Sequence, residues 1–207
     1  MNLRRINCNI FLLLLLFSCN NNDTNSVVKN EIDRIKCERE KKLVLKVNEL
    51  KKFIMRHHEF NDSIVFMVNM NIPSNNFRFY VYDLKKDKII SRGLVAHGAG
   101  SRIQNSAELK FSNAENSNCT SLGRYVVSKS YVGKFGKSYQ LIGLDSTNNN
   151  SLKRAIILHK YSSVPDYEQS YPIVLSLGCP MVSYHFFSSL ESIIDHSRKK
   201  IILDIFY

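Results

Sequence analysis

The sequence predicts a mainly β domain with helices at its flanks, an α+β fold, and three observations carry that expectation. A long stretch of three-and-four apolar spacing comes first. A succession of short runs rich in β-branched and aromatic residues follows, broken by turn residues. All 8 glycines fall between Gly93 and Gly178, where specially shaped loops would gather. With 207 residues, 44% of them hydrophobic and 23% charged, the chain has material for one proper core plus a short leader.

The leader comes first. Arg4 and Arg5 precede the apolar run Ile10–Phe17, which is too short to span a bilayer as a helix. Leu16-Phe17-Ser18-Cys19 then resembles a bacterial lipobox, in which the cysteine is acylated and becomes the mature N-terminus. The expected organisation is a lipoprotein signal peptide over residues 1–18, a polar tether over 19–27, an amphipathic helical segment over 28–60 and the main domain over 61–207. Lipidation is assigned to Cys19. A protein so addressed works in the cell envelope, held to the membrane by its lipid on the periplasmic side or at the outer membrane. Activities that consume ATP or NAD(P)H lose ground there.

Within the helical segment Val28, Ile32, Ile35, Leu43, Val47, Leu50 and Ile54 recur at helical spacing. Strands are expected at 63–70, 77–84, 88–96, 124–132, 139–144, 155–159, 173–176 and 200–207. Leu84-Lys85-Lys86-Asp87-Lys88 reads as a hairpin turn. Ser183 is placed to cap a late helix whose apolar face is Phe186, Phe187, Leu190, Ile193 and Ile194.

The net charge of +11 suits an anionic envelope surface or an ordinary solvated one. No nucleic-acid motif accompanies it, and no nucleic-acid partner is expected. The five cysteines, Cys8, Cys19, Cys37, Cys119 and Cys179, are odd in number and not closely spaced, so a disulfide framework is not expected. Zinc held by His97, Cys119, His159 and Cys179 is chemically conceivable but has no supporting ligand spacing; neither a metal nor a cofactor is expected.

Cys179 is the candidate nucleophile. It ends an apolar run, Ile173–Leu175, through Ser176-Leu177-Gly178-Cys179-Pro180. A thiol presented at a turn attacks only as thiolate and needs a base. His159, at the end of Ala155-Ile156-Ile157-Leu158, is the best candidate. No carboxylate is evident to orient its ring, and a backbone carbonyl would serve. Pro180 lacks an N–H, so an oxyanion hole would draw on the amides of Cys179 and Gly178. Ser176 reads chiefly as support for the turn.

His159, the intervening residues 160–175 and Ser176-x-Gly178-Cys179 resemble the signature of L,D-transpeptidases with a YkuD-type catalytic domain. Further segments are similar to its murein branch: Gly93-Leu-Val-Ala-His97-Gly98-Ala-Gly100-Ser101, Phe111-Ser112-Asn113, Ser121-Leu-Gly123-Arg-Tyr125, Gly133 to Tyr139, and Gly143-Leu-Asp145-Ser-Thr147-Asn148. The resemblance covers roughly residues 62–207. It implies a sandwich-like or barrel-like β fold and cysteine-dependent acyl transfer on peptidoglycan stem peptides. Its third catalytic member would be the Lys160 backbone carbonyl. His97, Ser176, Tyr139 and Arg154 are the candidate substrate-binding residues, and a monomer is expected. Leu177 stands where relatives commonly carry a histidine, and Met181 where Arg or Asn is frequent. Hydrolysis of the same substrate by an L,D-carboxypeptidase, or wall binding without catalysis, are the alternatives.

Overall fold

The computed structural model describes residues 21–207. The signal peptide read over residues 1–18 and Cys19, read as the lipidation site, lie outside the described residues. The chain divides into two compact units, residues 1–41 and 42–207.

Helix α1 (Asn21–Arg56) begins inside the stretch expected as a polar tether. Once a helix is nucleated, each added residue contributes a hydrogen bond, so a weakly helical segment is carried along. Within the first unit Arg34 pairs with Glu31 at 2.6 Å and with Glu38 at 3.4 Å, while Val28 and Ile32 stay exposed. The described part of that unit is this one helix, which has no second surface of its own to bury an apolar stripe against.

In the second unit the remainder of α1 does bury its stripe: Val47, Leu50 and Ile54 are all less than 5% exposed. They pack on a sheet of eight strands, β1 (Ile64–Asn69), β2 (Phe79–Asp83), β3 (Lys88–Gly93), β4 (Gly123–Gly133), β5 (Gly136–Gly143), β6 (Ile157–Lys160), β7 (Met181–Val182) and β8 (Ile202–Phe206). The order is β3-β2-β1-β8-β4-β5-β6-β7. β1 runs parallel to β8 and β6 parallel to β7; the other pairings are antiparallel. The strands thus form one open mixed sheet with helices at its flanks, the mainly β, α+β architecture that the sequence predicts.

Helices cover both faces, which is why the central strands read as nearly unbroken apolar runs. Phe66 and Val68 of β1, Phe79 and Val81 of β2, and Leu203 and Ile205 of β8 join Phe186, Phe187 and Leu190 of α2 (Tyr184–His196) in one cluster. The alternate residues, Val65, Met67, Tyr80, Tyr82, Ile202 and Phe206, meet α1 in another. α2 starts as its sequence predicts: the Ser183 hydroxyl accepts the Phe186 N–H at 3.1 Å. The turn at 84–88 is also where it was read, with Asp87 at φ +51°.

Residues 173–176 do not form a strand. They run as a loop that joins the rest through a single bridge between Ser176 and Gly98, and the short β7 after Cys179 takes the place beside β6. A 3-10 turn at Ala99–Ser101, unread in the sequence, closes the other side of that bridge.

Candidate active site

The loop from Ser176 to Pro180 delivers Cys179 to the start of β6, and Gly178 makes that approach possible. Its φ is +118°, a conformation disfavoured for residues with a Cβ, and a Cβ there would sit 2.9 Å from the Cys119 carbonyl oxygen. The Cys179 thiol accepts the Ile157 N–H at 3.5 Å and donates to the Ala155 carbonyl at 3.7 Å. It is half-buried, less open than a thiol presented fully to solvent. Burial pushes its pKa up from the ordinary thiol value; the Ile157 N–H and the positive charge of Arg154 oppose that shift without cancelling it.

His159 sits in β6, its amide donating to the Pro180 carbonyl at 3.4 Å. The residue is 2% exposed and its ring stacks on Phe135 with centroids 4.1 Å apart. Nδ1 donates to the Lys160 carbonyl at 3.0 Å. A carbonyl can only accept, so in the neutral ring the proton resides on Nδ1 and Nε2 keeps its lone pair. Burial lowers the His159 pKa, partly offset by that same bond. The strand pairing places His159 and Cys179 on adjoining segments, joined through Pro180, while the thiol proton is directed at Ala155.

Other expected site residues take different places. The Ser176 hydroxyl accepts the Gly178 N–H at 3.1 Å, so the Gly178 amide is committed inside the turn and is not a free oxyanion donor. The Cys179 amide, by contrast, makes no hydrogen bond among the described residues. Arg154 donates from Nη1 to Ser112 O and Ser121 Oγ, both at 3.0 Å, and from Nη2 to Cys119 O at 2.5 Å. It therefore ties together the loops behind the thiol, which is a positioning role. Tyr139 is buried in the core and its hydroxyl donates to Asp195 at 2.7 Å, as a residue seated on the sheet would. Cys119 is buried with a free thiol, and Leu177 is 73% exposed beside the turn.

His97 lies in the segment bonded to this turn: Ser176 N donates to His97 O at 2.9 Å, and Ala96 N to Met181 O at 2.9 Å. Its ring is buried rather than forming an open pocket wall. Arg78, to which the sequence assigns no role, reaches it. That guanidinium belongs to a residue only 1% exposed and donates to Val95 O at 2.7 and 3.0 Å, to Ile72 O at 3.1 Å and to His97 Nδ1 at 2.9 Å. With Nδ1 accepting, the His97 proton lies on Nε2, which is fully enclosed and has no partner among the described residues. Burial and the nearby Arg78 and Arg102 charges lower the His97 pKa to about 4, so the ring is neutral.

The family model of the L,D-transpeptidase catalytic domain matches residues 36–203. No match to a curated protein was found. Among solved structures the chain is similar to the helical cell shape determining protein Pgp2 from Campylobacter jejuni, with 12% identity, 69% of this chain and 47% of that one covered, and a TM-score of 0.45. It is also similar to an L,D-transpeptidase from Mycobacterium smegmatis (8% identity, 70% and 59% covered, TM-score 0.41) and to one from Xylanimonas cellulosilytica (12%, 70% and 60%, TM-score 0.36). The chain thus spans about half to three-fifths of the length of these proteins.

Proposed function

Because this chain belongs to the L,D-transpeptidase catalytic domain family, we propose that it performs cysteine-dependent acyl transfer on peptidoglycan stem peptides in the cell envelope, anchored as a monomer by a lipid on Cys19. The observation that carries the reading is the His159 Nδ1 to Lys160 carbonyl bond, which leaves Nε2 as a free base on the segment adjoining Cys179.

In this scheme His159 Nε2 takes the thiol proton as Cys179 Sγ attacks the carbonyl carbon between an L- and a D-centre. The Cys179 amide donates to the oxyanion. The C–N bond then breaks, His159 returns the proton to the leaving amine, and a thioester remains. An amine of a second stem resolves the thioester into a crosslink; water resolves it into a shortened stem. A neutral thiol and a neutral imidazole suit this order of events, since proton transfer accompanies attack rather than preceding it.

Purified protein supplied with disaccharide-tetrapeptides is expected to release the terminal D-amino acid and to form crosslinked dimers, both read by mass spectrometry. Shortened monomers alone would assign hydrolysis instead, and unchanged muropeptides with an unmodified Cys179 would exclude the enzyme reading. A second expectation concerns pH. Alkylation of Cys179 by iodoacetamide should show a midpoint above 9.0, and Arg154→Gln should move it further up by removing the opposing charge. A midpoint in the neutral range would mean a preformed thiolate and would overturn concerted proton transfer to His159.

A further inference from the structure

On the α1 face of the sheet a cavity of about 480 Å³ opens between α1, the start of β4, the loop after β5 and the end of β8. Its size falls within the range of small-molecule sites, roughly 300–1,000 Å³. Five charged side chains line it: Lys46, Glu49, Arg124, Asp145 and Asp204. Four of them are already matched. Lys46 Nζ lies 2.7 Å from Glu49, and Arg124 grips Asp145 through Nε and Nη2 while its guanidinium lies 4.3 Å over the Phe53 ring.

Asp204 is the remainder. It stands directly across from Arg124 in the β4–β8 register, the position from which an ion pair would be expected. Arg124 is drawn instead to Asp145. The Asp204 carboxylate makes no hydrogen bond or ion pair among the described residues, although the residue is only 4% exposed. Its oxygens are not fully enclosed, but a carboxylate held this deep without a counter-charge is costly. Burial pushes its pKa up to about 6, with Lys46 and Arg124 opposing and Asp145 and Glu49 reinforcing the shift.

We infer that this cavity binds a small molecule through a primary ammonium group that pairs with Asp204, with its apolar body against Leu50 and Phe206. One unmatched negative charge calls for one positive charge. Among the described residues no three acidic, His or Cys side chains gather as metal ligands, and the cavity is far larger than a bare ion requires. This site stands on residues separate from Cys179 and His159 and does not depend on their assigned roles.

Butylamine hydrochloride titrated into the 15N-labelled full-length protein at pH 7.5 tests it. Saturable amide shifts centred on residues 123–124 and 204–206 are expected, with affinity at least about tenfold weaker in Asp204→Asn and no such shifts with sodium butyrate. The same substitution should raise the Tm by about 2–4 °C at pH 7.5. It should do so less at pH 4.5, where Asp204 is largely protonated in the fold. The sign follows from linkage: a carboxyl whose folded pKa is raised favours the native state at low pH and loses that contribution as pH rises from about 3.8 through about 6. Equal binding by Asp204→Asn, equal response to butyrate, or a lowered Tm at pH 7.5 would each overturn the proposal. The last result would mark Asp204 as a structural partner.

Discussion

Cys179→Ala is expected to lower release of the terminal D-amino acid from tetrapeptide stems by at least about 10³-fold, the scale on which removal of a nucleophile acts. The loss should lie in kcat, because the thioester cannot form at all. The fold should survive: Cys179 is only half-buried, and its two sulfur contacts are long, so the stability cost stays near about 1 kcal/mol. His159→Ala should also remove turnover. It should leave slow acylation by activated thioester-forming reagents at alkaline pH, where the thiol ionises without a base. Chromatographic assay of released amino acid, with circular dichroism to confirm folding, separates these outcomes. An alanine variant retaining more than a tenth of the activity would sink the assignment of Cys179.

The parts of this site legible in the sequence are those set by local chemistry. Gly178 before Cys179 and Pro180 after it announced a shaped turn, and a φ of +118° is what such a glycine serves. The absence of a carboxylate near His159 pointed to a backbone carbonyl, and Lys160 O bonds the ring. The Ser183 cap and the apolar faces of α2 were readable because both follow from residues three and four apart. Tertiary pairing was not readable in the same way. Ile173–Leu175 has the composition of a strand yet lies in a loop, because the place beside β6 goes to Met181 and Val182. Tyr139 could be read either toward substrate or onto the sheet, and its partner, Asp195 of α2, lies 56 residues away. Ser176, read chiefly as support for the turn, does take the Gly178 amide, and that local bond withdraws Gly178 from the oxyanion role also assigned to it. The flanking helices and seven of the eight strands were foreseen, whereas β7 and the open edge of the sheet depend on which strands pair at long range.

Arg78 shows most sharply what a sequence conceals, and replacing it should have the largest effect on stability. It sits between Phe77 and Phe79 in a run of aromatic and β-branched residues, where a lone arginine reads as an outward-facing strand position. Instead it is among the largest fully buried side chains, with no carboxylate paired to it among the described residues. Burial lowers its pKa to about 9, which still leaves the guanidinium charged at neutral pH. It persists in the interior because its fork meets a set of fixed acceptors: Val95 O, Ile72 O and His97 Nδ1. Arg78→Met fills much of the volume but leaves two carbonyls and a ring nitrogen buried without donors. At roughly 1–3 kcal/mol for each unsatisfied group, partly relieved by removing a buried charge, the net loss should reach about 3 kcal/mol. Urea unfolding followed by circular dichroism should show the midpoint falling with an unchanged slope. Arg78→Lys, which carries the charge but cannot span these acceptors at once, should fall between the parent and Arg78→Met. The loss should also reach the active site, because the His97 backbone holds the Ser176 amide at 2.9 Å and Ser176 in turn holds the turn into Cys179. Residual folded Arg78→Met protein should therefore turn over more slowly with little change in KM. If Arg78→Met matches the parent in both urea midpoint and turnover, then neither the buried acceptors nor the His97 link holds the site together.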